Sequence, residues 1–301
     1  SIKALRNPWL YGAVKPGKEV KEKKPIDFVG LRKRFLTIST CLMAAIILCA
    51  AVFGVRLDTE FTGGAMITLS YQGEISTSEV QKTASTALEN NGLTLQTGEN
   101  VATGEQTLKI SMPGNETVTT DQVENLLTSL NEQYAFAQLS LSNVSAAMGT
   151  KFLQKSLVAV VFSLLLILLY IGFRFKKIGG LTGGLMAVLA LLNDLMVVFG
   201  TFVLLRTPLD GNFIAAMLTI LGYSINDTVV VYDRIRENRA LMGKKTPFEE
   251  LVNHSVNQSA RRTIITTVTT VMALGVMCVV SKLYGLDSIF TFAFPLMMGM
   301  L

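Results

Sequence analysis

LTGGLMAVLALLNDLMVVFGTFVLL, residues 181–205, is a run of 25 residues whose only charged side chain, Asp194, sits near its middle. About 20 consecutive apolar residues span the hydrocarbon core of a bilayer as an α-helix, so this stretch reads as a membrane span. Four more blocks of the same kind surround it: Phe35–Phe53, Leu157–Phe173, Phe213–Tyr232 and Thr263–Val280. A sixth begins at Ile289 and is read as a span cut short at Leu301. The first block follows 34 residues with ten basic side chains, a stretch too long and too charged for the n-region of a cleaved signal peptide, so it is expected to stay as an anchor.

The composition agrees with this reading. Half of the 301 residues are hydrophobic, 16% are charged and the mean hydropathy is +0.45. The decisive property is segregation, because nearly all charge lies between the apolar blocks. A net charge of +5 and a pI near 9.1 would suit a nucleic-acid binder, but ten of the 27 basic residues precede Phe35 and others flank the later blocks. Such placement marks cytoplasmic membrane edges, and no nucleic-acid partner is expected. Cys41, Cys49 and Cys278 all lie inside apolar blocks, read as small buried hydrophobes and offer neither a disulfide framework nor a metal site.

Six helices place every basic loop on one side. The N-terminal segment, the turn with Arg174, Lys176 and Lys177, and the segment with Arg234, Arg236, Arg239, Lys244 and Lys245 define the cytoplasmic face, with both termini on that side. The resulting division is a basic cytoplasmic segment at 1–34, a first transmembrane helix at 35–56, an external domain at 57–150, and transmembrane helices two to six at 151–301, the last incomplete.

The external segment carries eleven acids against two lysines. Its apolar period alternates as a strand over Ala65–Tyr71, turns helical over Thr77–Asn91, and gives strands at Leu93–Thr97 and Gln106–Met112 around a Gly98–Gly104 turn. A second helix is expected at Val118–Glu132 and a last strand at Gln138–Val144. Strand, helix, strand, strand, helix, strand is a ferredoxin-like order, so the fold class is a polytopic α-helical membrane protein with a ferredoxin-like α+β domain between helices one and two. This domain lacks histidine and cysteine, which excludes a histidine-based triad and an ordinary zinc site. Most of its acids read as solvated surface charge; a peptide-binding or partner-docking face is the functional alternative.

An acid at mid-bilayer costs roughly 3 kcal/mol on insertion scales, so ionisable residues inside spans are functional candidates. Two occur, each after an asparagine: Asn193-Asp194 and Asn226-Asp227. Asp227 lies five residues before Tyr232, and the following helix starts near Arg261 and Arg262, so one of these arginines can lie at a similar depth. A neighbouring cation favours an ionised carboxyl and desolvation a neutral one; an acid between the two is suited to taking up and releasing a proton. The competing reading is a structural ion pair or inter-helix hydrogen bond, and it is stronger for Asp194 than for Asp227. Asp233, Arg234, Arg236 and Glu237 read as interfacial charge pairs, and His254 as a solvated or interfacial residue. Gly179, Gly180, Gly183, Gly184, Gly200 and Gly222 are expected to allow close helix approach, and Thr263, Thr266, Thr267, Thr269 and Thr270 to bond back to their helix or bridge to acids through water.

Four motifs give the chain a resemblance to the SecF members of the SecD/SecF protein-export family, within the resistance-nodulation-division superfamily. They are Glu60-Phe61-Thr62-Gly63-Gly64, Tyr170-Ile171-Gly172-Phe173-Arg174-Phe175, the long run from Gly222-Tyr223-Ser224-Ile225-Asn226-Asp227 to Asn238, and Arg262-Thr263-Ile264-Ile265-Thr266. Family members usually carry aspartate before Phe-Thr-Gly-Gly, where this chain has Glu60.

The resemblance implies a non-enzymatic subunit of the bacterial cytoplasmic (inner) membrane that uses the proton or sodium motive force to promote preprotein translocation. It implies SecD as the partner supplying a second six-helix half, with the SecYEG translocon, YajC, YidC, the translocating preprotein and the lipid bilayer as further partners. It assigns proton transfer to Asp227 and Arg262, with Asn226 beside them and Asp194 as a further intramembrane acid. Phe61, Thr62, Gly63 and Gly64 form a structural motif. No catalytic residue, cofactor or metal is implied. The alternatives are a proton-coupled small-molecule or lipid exporter of the same superfamily and a passive scaffold of the translocon. An intramembrane protease has two acids in its favour but no accompanying motif.

Overall fold

The structure, a computed structural model, describes residues 26–73, 75–88, 92–99, 105–113, 118–131, 134–243 and 245–301. Residues 1–25 of the expected cytoplasmic segment, 89–91 of the first external helix, 100–104 of the expected turn, Glu132 of the second external helix and Lys244 lie outside them.

The chain enters through α1 (Arg32–Phe53) and a single-turn helix, α2 (Thr59–Thr62). It then builds a domain of β1 (Gly64–Tyr71), α3 (Thr77–Ala87), β2 (Thr94–Glu99), β3 (Gln106–Pro113), α4 (Thr120–Asn131) and β4 (Phe136–Val144). Four helices follow, α5 (Ala146–Arg174), α6 (Gly180–Leu205), α7 (Gly211–Met242) and α8 (Phe248–Leu283), and then the shorter α9 (Asp287–Met300). Among the described residues, α1, α5, α6, α7 and α8 are long and apolar enough to cross a membrane.

Inside the small domain the four strands run in the order β2-β3-β1-β4, all neighbours antiparallel. Burial alternates along β1, so Ala65, Ile67, Leu69 and Tyr71 face one side and meet Val80 and Ala84 of α3 and Val123, Leu126 and Leu130 of α4. Alternation fixes the register here, because a one-residue slip would turn this whole set to water. The strand and helix order is the expected one. β2 is displaced by one or two residues and includes Gly98 and Glu99, since a short alternation marks a strand better than it marks its ends.

The membrane helices outrun their apolar blocks. α7 continues from Tyr232 to Met242, held by the Arg236–Asp233 pair at 2.6 Å and the Arg234–Glu237 pair at 2.6 Å, while α8 starts fifteen residues before Thr263. The charged residues after Tyr232 thus sit on a continuing helix, paired as expected, with Asp233 also 3.4 Å from Arg174. His254 lies on the same extension of α8, exposed, with its Nε2 2.7 Å from Gln258 Nε2.

α1 rests lightly on the rest, burying Ile46 alone, against Gly200 of α6, where a Cβ would come within 2.7 Å of the isoleucine. This narrow contact corrects the reading of the cysteines as buried: Cys278 is buried, but Cys49 is half-buried and Cys41 exposed, because α1 turns most of its surface away from the protein. Gly222 departs from expectation too. Among the described residues no other element comes within 4 Å of a Cβ built there.

Candidate functional site

α7 carries most of the residues singled out inside the membrane. Its first turn is set by Asp210, whose Oδ1 accepts the Phe213 N–H at 3.2 Å and caps the helix. From Gly211, sixteen residues at 1.5 Å each put Asp227 about 24 Å along the axis. α6 packs beside α7 through the Leu191, Leu195, Val198 and Phe202 face, which meets Phe213, Ala216 and Ile220.

Polar side chains cross this packing at three levels. Ser224 Oγ donates to Asp194 Oδ2 at 2.6 Å, and Tyr232 Oη donates to the Gly183 carbonyl at 2.9 Å, both joining α7 to α6. Tyr223 Oη and Thr270 Oγ1, 2.9 Å apart, join α7 to α8. Asn193 Oδ1 accepts from Ser39 Oγ of α1 at 2.7 Å. The Asn193-Asp194 pair therefore points its two members at two different helices.

Asp227 is half-buried, one turn beyond Ser224 on the same face of α7, since residues three apart are neighbours on a helix. The charged residue whose field acts on it is Arg262 of α8; the two make no ion pair among those found in the described residues. Arg262, Arg261 and Asn226 are exposed. Thr266, Thr269 and Thr270 bond back to carbonyls of their own helix, whereas the buried Thr263 Oγ1 meets no hydrogen-bond partner among the described residues. Sequence reading found the acids and missed Ser224 as the partner of Asp194, Ser39 as that of Asn193 and Tyr223 as that of Thr270. The available signal was the three-residue step from Ser224 to Asp227.

Phe61, Thr62, Gly63 and Gly64 lie elsewhere, at the junction of the small α/β domain with the long helices. Phe61 is 2% exposed and its ring lies 5.6 Å from that of Phe152 on α5. Thr62 Oγ1 donates to the Asp58 carbonyl at 3.0 Å. Gly63, at φ 81°, adopts a conformation that favours glycine, and a Cβ there would meet the Ala146 backbone at 2.5 Å.

Glu60 ties this turn to both domains. Its Oε1 accepts from Lys109 Nζ of β3 at 2.9 Å and its Oε2 from the Gly211 N–H of α7 at 2.8 Å. Burial works to lower the Lys109 pKa, but the bond to Glu60 and the charges of Asp58, Glu60 and Asp210 outweigh it and hold the ammonium above its ordinary value. Burial pushes the Asp210 carboxyl up; the Phe213 N–H and Gln96 oppose the rise, and Asp58 and Glu60 add to it.

Residues 122–301 match the family described as "Protein export membrane protein SecD/SecF, C-terminal". The chain is 31% identical to the protein translocase subunit SecF of Petrotoga mobilis, over 92% of this chain and 90% of that one. It is 30% identical to the protein translocase subunit SecDF of Bacillus subtilis, over 91% of this chain but 36% of that longer one. Among solved structures it resembles the crystal structure of SecDF, a translocon-associated membrane protein, from Thermus thermophilus. The TM-score is 0.75 at 26% identity, covering 98% of this chain and 39% of that one.

Proposed function

The chain belongs to the SecD/SecF protein-export membrane protein family, a family of multi-pass membrane proteins, and from that premise we propose that it is a SecF-type subunit that uses the proton motive force to promote preprotein translocation. The observation that carries this reading is Asp227 on α7, half-buried and under the field of Arg262 on α8.

In the proposed cycle Asp227 takes up a proton, its attraction to Arg262 weakens, and α7 and α8 change their contact. Asp194 acts with them through Ser224, whose hydroxyl lies on the same face as Asp227. Asn226 borders the site. Asn226, Gly222 and Arg262 are exposed among the described residues, and SecD is the partner proposed to cover them. Contact with SecYEG, YajC, YidC and the preprotein belongs to the same reading.

The βαββαβ order and the β2-β3-β1-β4 sheet support a ferredoxin-like domain at 57–150, outside the membrane. The apolar α9 is taken as part of a sixth span, and the basic loops as cytoplasmic with both termini. On this assignment residues 1–34, 35–56 and 151–301 are the cytoplasmic segment, the first transmembrane helix and the remaining five.

The test is preprotein translocation into vesicles holding the chain with SecD and the translocon, under an imposed proton gradient. Asp227→Asn and Arg262→Leu, assembled at normal levels, are expected to lose gradient-dependent stimulation while keeping the basal rate. Full stimulation in either variant would refute the mechanism and favour a scaffold, and stimulation by a sodium gradient alone would replace the proton as coupling ion.

A further inference from the structure

The ends of α6 and α8 and the small domain's α3 and β2 border a cleft of about 390 Å³, with four charged side chains in its wall: Arg56, Arg206, Lys282 and Asp287. Lys282 Nζ lies 3.4 Å from Asp287 Oδ1, so those two charges are paired. Arg56 and Arg206 have no acidic partner among the described residues. Together with Phe53 they also line a narrow crevice between the ends of α1 and α6, so two guanidiniums share one corner of the molecule. Like charges repel, and an anion between them turns that repulsion into attraction.

Arg206 is held there at a backbone cost. Among the described residues it is the one non-glycine residue at positive φ, at 55°. Its N–H donates to the Val203 carbonyl at 3.1 Å and the Thr207 N–H to the Phe202 carbonyl at 3.2 Å, the hydrogen-bond pair that closes a helix at a left-handed residue. Glycine fills that position without steric cost, so the turn alone gives no reason for arginine. The side chain supplies one. Its guanidinium lies 5.1 Å from the centroid of the Phe53 ring, a contact with the aromatic face that leaves the N–H groups free for an acceptor.

Position selects the kind of anion. Arg206 directly follows α6 and Arg56 lies three residues past α1, and both helices are long enough to span a membrane, so these cations stand at the level of lipid headgroups. Next to them, in the last turns of the same two helices, Val52, Leu204 and Leu205 are exposed. Paired cations followed by open apolar surface match the profile of a phospholipid, whereas a free phosphate gains nothing from the apolar part. We propose that Arg56 and Arg206 hold the phosphate of an anionic phospholipid headgroup, with its acyl chains along the ends of α1 and α6. The site does not depend on any role of Asp227.

Native mass spectrometry of the whole chain released from detergent micelles tests this, with phosphatidylglycerol and phosphatidylcholine as probes. Phosphatidylglycerol is expected to bind more tightly, and Arg56→Gln and Arg206→Gly each to weaken its tightest site about tenfold. Lys33→Gln and Arg34→Gln remove the same charge at the other end of α1 and should leave that site in place. Arg206→Gly also separates binding from folding. Because glycine relieves the backbone, this variant should unfold at a higher temperature than the parent in micelles free of anionic lipid, yet gain less from added phosphatidylglycerol. Equal binding of the two lipids, or parent-like phosphatidylglycerol binding in both arginine variants, would overturn the proposal. So would equal stabilisation by inorganic phosphate without lipid, which would make the ligand a free anion.

Discussion

Ser224 Oγ donates to Asp194 Oδ2 at 2.6 Å, which makes the acid of α6 a hydrogen-bond acceptor of α7. Such bonds between membrane helices contribute about 0.6–2 kcal/mol. Ser224→Ala is therefore expected to destabilise the bundle by about 1 kcal/mol, and a double-mutant cycle with Asp194→Ala to show a coupling of similar size. Reversible unfolding in mixed micelles measures both. Strict additivity would mean that the bond contributes nothing.

Among the described residues Lys109 is the cation paired with Glu60, and their side chains are 23% and 29% exposed. Breaking a fully buried pair costs about 3–5 kcal/mol; partial solvation here should reduce the cost of Lys109→Met to about 1–3 kcal/mol. The pH sign follows from its raised pKa. The folded state holds the proton more tightly, so this stabilisation is complete below the ordinary value of 10.5 and is lost as pH rises through the higher folded value. Chemical denaturation at increasing alkalinity should show that loss in the parent chain and not in Lys109→Met.

Two glycines should respond oppositely to alanine. A Cβ at Gly149 would lie 2.6 Å from the Gly63 nitrogen and 2.9 Å from the Phe61 carbonyl, backbone that cannot step aside cheaply. Gly149→Ala is expected to cost at least about 1–3 kcal/mol in thermal unfolding. Gly222 has open space, so alanine there should stabilise α7 by up to about 1 kcal/mol in the isolated chain. If the partner packs on that face, the same substitution should weaken co-purification with SecD.

Leu126 is completely buried between α4 and the sheet. Leu126→Ala should cost the small α/β domain about 2–5 kcal/mol, from lost burial and the cavity left behind. Protease protection of residues 57–150 would reveal it, with the membrane helices intact.

The spans were legible because partition into lipid depends on a local average of side-chain polarity, and five such averages stand out along the chain. Their helical ends were not, since beyond Tyr232 and before Thr263 the helices persist on charge pairs and side-chain hydrogen bonds. The small domain was legible through its changes of period, with Val80, Ala84, Val123 and Leu126 buried where helical spacing put them. Asp194 and Asp227 stood out because charge inside an apolar block is rare. Ser224 did not, because a serine in a membrane helix is commonplace until its neighbour is known.

What the sequence determined by itself is therefore the membrane class, the inserted α/β domain and the two acids that break the apolar runs, all properties of residues close together in the chain. What only the tertiary structure decided is which groups meet. Glu60 reaches Gly211 and Lys109, Gln96 reaches Asp210, and Asp58 is buried with its Oδ1 accepting from Thr59. These contacts join segments up to 151 residues apart, and their strength comes from burial beneath a folded sheet, which no local pattern of side chains encodes.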